Sequence, residues 1–110
     1  NWFYRISKYT MPLLQHPNIP ASFYVNELAS IPEDLENYVL KPLFSFAGSG
    51  VVIDVTKKDI EDLPDPANWM LQQKVNYAPI IKTPTTPAKV EIDYFICGKK
   101  ALLGLFRPLT

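Results

Sequence analysis

One cysteine, one histidine and four glycines are all that the 110 residues contain of those types. The single thiol, Cys97, permits no intramolecular disulfide and suits a reducing compartment, the cytoplasm. One histidine and one cysteine far apart in sequence give no basis for a metal cluster or a Cys-His nucleophile pair. An excess of either charge is also missing. Eleven basic and eleven acidic residues leave a formal net charge of zero. That excludes broad electrostatic binding to nucleic acid or to an anionic membrane, but not one local cationic pocket. No uninterrupted apolar run approaches the length of a bilayer span. The opening residues carry Trp2, Arg5 and Lys8, without the apolar core of a secretory leader. The chain starts on Asn1 rather than methionine, and is expected to be a piece of a longer protein.

A hydrophobic content of 47% over 110 residues suits one compact domain spanning 1–110. Proline is abundant, with eleven residues that punctuate the chain. Residues 2–9 place apolar side chains at helical spacing, up to a break near Pro12. Residues 21–28 read as a strand around Phe23, Tyr24 and Val25. Ser30, Pro32 and Glu33 have the order of a helix start. Strands are expected at 38–41, 51–55 and 69–75. Thr56 precedes Asp59 as the cap of a short helix reaching Leu63. Residues 76–88 form a proline-rich loop. Alternation through Val90, Ile92, Tyr94 and Ile96, then the Gly98-Lys99-Lys100 turn and the return over 101–106, predicts a β-hairpin. Trp2 and Trp69 read as core, and His16 as a loop residue. The fold class is therefore α+β: a mainly antiparallel sheet with a few short helices on one face.

The most telling stretch runs from Tyr38 to Asp54. An apolar strand carries Lys41, breaks at Pro42 and passes through a turn holding Ser45, Gly48, Ser49 and Gly50. Apolar residues then resume at Val51. Glycines let backbone N–H groups approach phosphate oxygens, and a lysine adds a point charge. Alone, Lys41 could equally guard a strand edge; joined to the glycine turn, it reads as part of a polyphosphate site. Phe44 and Phe46 are costly in an exposed loop unless it closes over a ligand. The pattern is not of the Walker type, since no G-x-x-x-x-G-K-[ST] is present.

Taken in order, Asn18-Ile-Pro-Ala-Ser, Val39-Leu-Lys-Pro with Gly48-Ser-Gly-Val, Trp69-Met-Leu-Gln-Gln-Lys-Val75, Val90-Glu-Ile-Asp-Tyr-Phe and Gly104-Leu-Phe-Arg107 resemble the ATP-grasp superfamily. The likeness is to its lid and part of its ATP-binding subdomain, over roughly residues 5 to 110. It implies a partial ATP-grasp fold. It also implies ATP as cofactor, with Lys41 on the α- and β-phosphates and Lys8 as a second lysine. The turn of Ser45, Gly48, Ser49 and Gly50 would cover the phosphates. The segment Gln72, Gln73, Lys74 and Val75 would offer backbone groups to adenine. Glu91 is a further candidate contact, with surface charge as its alternative. Arg107 would steady transferring charge as the catalytic residue, because a planar donor fork suits it.

The resemblance further implies a ligase that phosphorylates a carboxylate, which an amine or thiol then attacks. Its Mg²⁺ ligands would lie outside this chain, after Thr110, and no metal ligand is assigned within it. The partners implied are ATP, an unidentified carboxylate substrate and the rest of the parent protein. Alternatives are a degenerate, non-catalytic nucleotide-binding or protein-interaction module, and a plain structural domain.

Overall fold

The computed structural model describes residues 2–79 and 81–109, with the backbone alone at 102, 103 and 105–109. The chain divides into two compact units, residues 1–75 and 76–110. The division falls where the proline-rich segment begins. Helices and antiparallel sheets together make this an α+β protein.

In the first unit, α1 spans Trp2–Ile6 and a 3-10 helix follows over Lys8–Leu13, accommodating Pro12. Strand β1 (Ser22–Tyr24) is short and passes straight into a 3-10 turn at Val25–Glu27. Strand β2 is Tyr38–Pro42, helix α2 is Lys57–Glu61 and strand β3 is Trp69–Gln73. The three strands form an antiparallel sheet in the order β1-β3-β2. Register pairs Ser22 with Gln72 on one side of β3, and Leu40 with Leu71 on the other.

Both faces of this sheet are covered, not one. Successive strand residues point to opposite faces, and two apolar clusters follow from that alternation. One holds Leu40 and Leu71 with Val25, Leu35, Val55 and Ile60. The other holds Met70 and Tyr24 with Leu43, against which Tyr9 and Met11 pack. The 3-10 helix packs on the second face through Tyr9 and Met11, and strand alternation places Lys41 and Gln72 on that face, two positions along from Val39 and Met70 respectively.

Helix α2 forms where Thr56 predicts it. Thr56 Oγ1 accepts from the Asp59 N–H at 3.3 Å, and Asp59 Oδ2 accepts from the Thr56 N–H at 2.8 Å. Each satisfies a donor that the helix start would otherwise leave open.

Other expectations also need correction: the strand read over 21–28 is confined to Ser22–Tyr24, and the helix expected to reach Leu63 ends at Glu61. Residues 51–55 make no strand: Val52 exchanges two hydrogen bonds with Leu40, at 2.9 and 3.0 Å, and the ladder stops there. Val55 turns into the core while Ile53 stays 61% exposed, so the apolar run serves one packed position rather than a sheet face. No helix starts at Ser30; a 3-10 turn forms later, over Leu35–Asn37. The strand expected over 69–75 ends at Gln73. Trp2 is exposed rather than core, with the Arg5 guanidinium 5.5 Å above its ring.

The second unit is a hairpin of β4 (Lys89–Cys97) and β5 (Lys100–Leu109), with a register shift between Phe95 and Ile96. Gly98 takes a φ of +61° at its turn. Ahead of it, Ile81 and Ala88 form an isolated antiparallel bridge. The alternation that predicts β4 does not mark a buried face: Ile92, Tyr94 and Ile96 are all exposed.

Candidate functional site

Two lysines separated by 33 positions lie near enough for the charge of Lys8 to act on Lys41, and Lys8 reaches Ser45, ahead of the glycine turn. Lys41 is fixed by β2, whose pairing with β3 sets it next to Met70. Its Nζ donates to Gln72 Oε1 at 2.5 Å. Gln72 is buried, and its Nε2 donates to Ser22 Oγ at 3.0 Å. Ser22 Oγ in turn donates to the Pro20 carbonyl at 3.2 Å. Lys8, at the start of the 3-10 helix, donates from Nζ to both the Ser45 carbonyl, at 2.9 Å, and Ser45 Oγ, at 3.1 Å.

Both ammonium groups therefore rest on neutral oxygens. Among the described residues, the ion pair recorded is Lys57–Glu61, on α2 at 3.7 Å, and neither Lys8 nor Lys41 has a carboxylate partner. Burial, then the charge of Lys8, holds the Lys41 ammonium below its ordinary value. Two half-buried cations near each other, without a counter-ion, make a face with a local excess of positive charge.

The turn after β2 is built from two successive backbone bonds, Ser49 N–H to the Phe46 carbonyl at 3.1 Å and Val51 N–H to the Gly48 carbonyl at 3.2 Å. Ala47 at φ +50° and Gly50 at φ +76° reverse the chain. Gly50 is required twice over, because a Cβ there would lie 2.9 Å from Pro42 Cγ. Gly48 has open space around its missing Cβ.

The aromatic residues of the turn have packing partners. Phe44 lies 6.0 Å from Phe3, 5.5 Å from Tyr4 and 6.0 Å from Tyr9, while Phe46 lies 5.6 Å from Phe3. They join the turn to α1 and the 3-10 helix, as the Lys8–Ser45 contact does. Tyr24 anchors the same region, its hydroxyl donating to the Tyr9 carbonyl at 2.6 Å.

The remaining candidates are placed as follows. Gln73 N–H donates to the Ala21 carbonyl and Lys74 N–H to the Asn37 carbonyl, each at 2.8 Å. Those two donors are already used inside the first unit, and Val75 lies beyond the end of β3, 48% exposed. Glu91 and Arg107 are register partners in the β4–β5 hairpin. The side chain of Arg107 lies outside the described residues.

Sequence reasoning missed the side chain of Gln72, which it had credited only with backbone contacts. The available signal was the period of two: Met70 and Gln72 share the face of Lys41 across the β2–β3 pairing.

Two shallow clefts in the first unit have volumes of about 200 and 310 Å³. One is lined around Phe23 and Glu27, the other around Phe44 and Trp69, and neither includes a lysine. Among the described residues no group of three His, Cys, Asp or Glu side chains gathers to hold a metal, and no helix is long and apolar enough to cross a membrane. Comparison with protein-family models, with curated proteins and with solved structures yields no match for this chain.

Proposed function

We propose that this chain binds the polyphosphate of ATP and forms the lid side of an ATP-grasp carboxylate ligase working in the cytoplasm. The observation that carries this reading is that Lys8, bound to Ser45 ahead of the Gly48-Ser49-Gly50 turn, acts by its charge on Lys41, and that both ammonium groups are satisfied only by neutral oxygens among the described residues. A polyanion would supply the charge that the protein withholds. Phosphate oxygens would replace Ser45 on the Lys8 ammonium and add to Gln72 on the Lys41 ammonium. The N–H groups of Gly48 and Gly50 would complete the cradle, since those of Ser49 and Val51 bond within the turn.

In the ligase reading, the roles of Arg107, steadying the charge transferred to a carboxylate, and of Glu91, contacting the nucleotide, rest on the resemblance alone. Mg²⁺, held by ligands outside this chain, would supply charge neutralisation at the phosphates. The carboxylate substrate and the rest of the parent protein complete the assembly.

A second reading is a module that binds polyphosphate without chemistry. One observation favours it: the Gln73 and Lys74 N–H groups, expected to face adenine, are engaged with Ala21 and Asn37. Adenine contact would then fall to Val75 and to carbonyl oxygens.

Calorimetric titration with ATP, tripolyphosphate and adenosine tests the proposal. Tripolyphosphate is expected to bind and to compete with ATP, while adenosine alone binds weakly. A protein that binds adenosine as well as ATP and ignores tripolyphosphate overturns it. ADP release with a carboxylate, lowered in kcat by Arg107→Lys more than KM for ATP is raised, separates the ligase from the non-catalytic module.

A further inference from the structure

Gln72 stands in the middle strand of the sheet with a side chain only 7% exposed. A buried amide must find partners for both of its ends. Here the partners are Lys41 on β2 and Ser22 on β1, from opposite flanks of β3. The pairing explains the reach. Ser22 and Val39 are the direct partners of Gln72, and Lys41 lies two residues along from Val39 on the same face.

The direction of the chain of bonds is fixed by chemistry. An ammonium only donates, so it needs Oε1. That leaves Nε2 for Ser22 Oγ, whose own proton goes to the Pro20 carbonyl. Turning the amide over would set its NH₂ against the ammonium, donor against donor.

A carboxylate at position 72 could make the same contact with Lys41, but it would cancel the charge. Glutamine offers the acceptor without the charge. Lys8 is the other charged group facing Lys41 in its pKa balance, and it is also positive. Met70, the register partner of Lys41 on β3, is neutral.

We infer that Gln72 is a positioning residue for Lys41, fixing its ammonium on the sheet while leaving the full positive charge for a polyanionic ligand. The inference rests on the reading of this face as a polyphosphate site. It also accounts for the burial of an uncharged polar side chain where a leucine would pack with less desolvation.

The test uses the full chain, tripolyphosphate as the probe and two variants. Gln72→Glu keeps the acceptor and adds a charge; Gln72→Met removes the acceptor and adds none. Titration of the Lys41 Nζ by nitrogen NMR, thermal stability and tripolyphosphate affinity are read for each.

Gln72→Glu is expected to move the Lys41 titration upward, to keep or raise stability and to weaken tripolyphosphate roughly tenfold or more. Gln72→Met is expected to weaken tripolyphosphate by a smaller factor without raising the Lys41 titration. A merely structural role would give a Gln72→Glu protein that is stable and binds tripolyphosphate as before, and that result overturns the inference. An unchanged Lys41 titration in Gln72→Glu also overturns it, whether or not phosphate binds. Absence of tripolyphosphate binding by the unaltered protein overturns the proposed function and the ligand half of this inference. The Lys41 titration still decides the positioning half.

Discussion

Lys41 lies within the field of Lys8, and after burial that field is the second cause holding the Lys41 ammonium below the ordinary lysine value of 10.5. A lysine whose folded pKa is lowered binds fewer protons in the folded state than in the unfolded one. It therefore costs stability at neutral pH. The cost fades as pH rises from the lowered value towards 10.5.

The same group is expected to govern ligand binding. Lys41→Met relieves the buried charge but leaves Gln72 Oε1 without its donor, so thermal stability should hold or fall, while ATP weakens by roughly 10- to 150-fold, as for a lost charged hydrogen bond. Adenosine should be unaffected. In the unaltered protein, ATP affinity should fall with rising pH through the lowered Lys41 pKa, at a pH below that of an ordinary lysine. Calorimetry across alkaline pH reads both effects. A parallel loss of ATP and adenosine binding would instead indicate a damaged fold.

Tyr24 behaves in the opposite sense. Burial first, and then the proximity of Tyr9, pushes its phenol from 10.0 up to about 12. A raised folded pKa gives stability that is fully present below pH 10 and is lost as pH rises from 10 to about 12. Chemical denaturation at a series of alkaline pH values should show this decline. Tyr24→Phe should flatten it, at a cost at neutral pH of about 1 kcal/mol for the lost bond to the Tyr9 carbonyl.

Helix α2 depends on its first residue. Thr56→Ala removes the acceptor for the Asp59 N–H and the hydroxyl that donates to the Asp59 carboxylate at 2.7 Å. Loss of such a cap costs about 1 kcal/mol. Thr56→Ser, which keeps the oxygen, should retain most of it. Thermal melts of the two variants give the comparison, with Ile60 in the core transmitting any fraying of the helix to the first unit.

Local patterns in the sequence were enough to find the helix cap at Thr56, the β4–β5 hairpin, strands β2 and β3, and Lys41 beside its turn. Each of these is set by residues a few positions apart. What was not legible depends on distant partners. Gln72 looks like one polar residue in an apolar strand until Ser22 and Lys41, 50 and 31 residues away, are brought to it. Phe44 and Phe46 also have ring partners in α1 that local sequence does not show, although Phe46 stays 79% exposed. Val51 to Val55 carries strand propensity, but β2 offers that segment only Leu40. The backbone of β2 is already paired along its other edge with β3, and apolar burial of Val55 draws the chain away.

The two glycines of the turn, alike in sequence, are expected to respond differently to the same change. Gly48 has open space around a would-be Cβ and no positive φ. Gly48→Ala should fold normally and change stability by less than about 1 kcal/mol. Gly50 combines φ +76° with a Cβ that would stand 2.9 Å from Pro42 Cγ. Gly50→Ala adds left-handed strain of about 1–2 kcal/mol to that contact, and the proline ring is held by β2. Its turn should open, separating Ser45 from Lys8 and weakening polyphosphate as well as lowering the melting temperature. Ala47→Gly provides the reverse test. Ala47 sits at φ +50°, where glycine relieves the strain and offsets its greater unfolded freedom. Its melting temperature should be equal or higher, and its affinity for tripolyphosphate retained. If Gly50→Ala melts and binds as Gly48→Ala does, the turn does not hold the lysine face in shape.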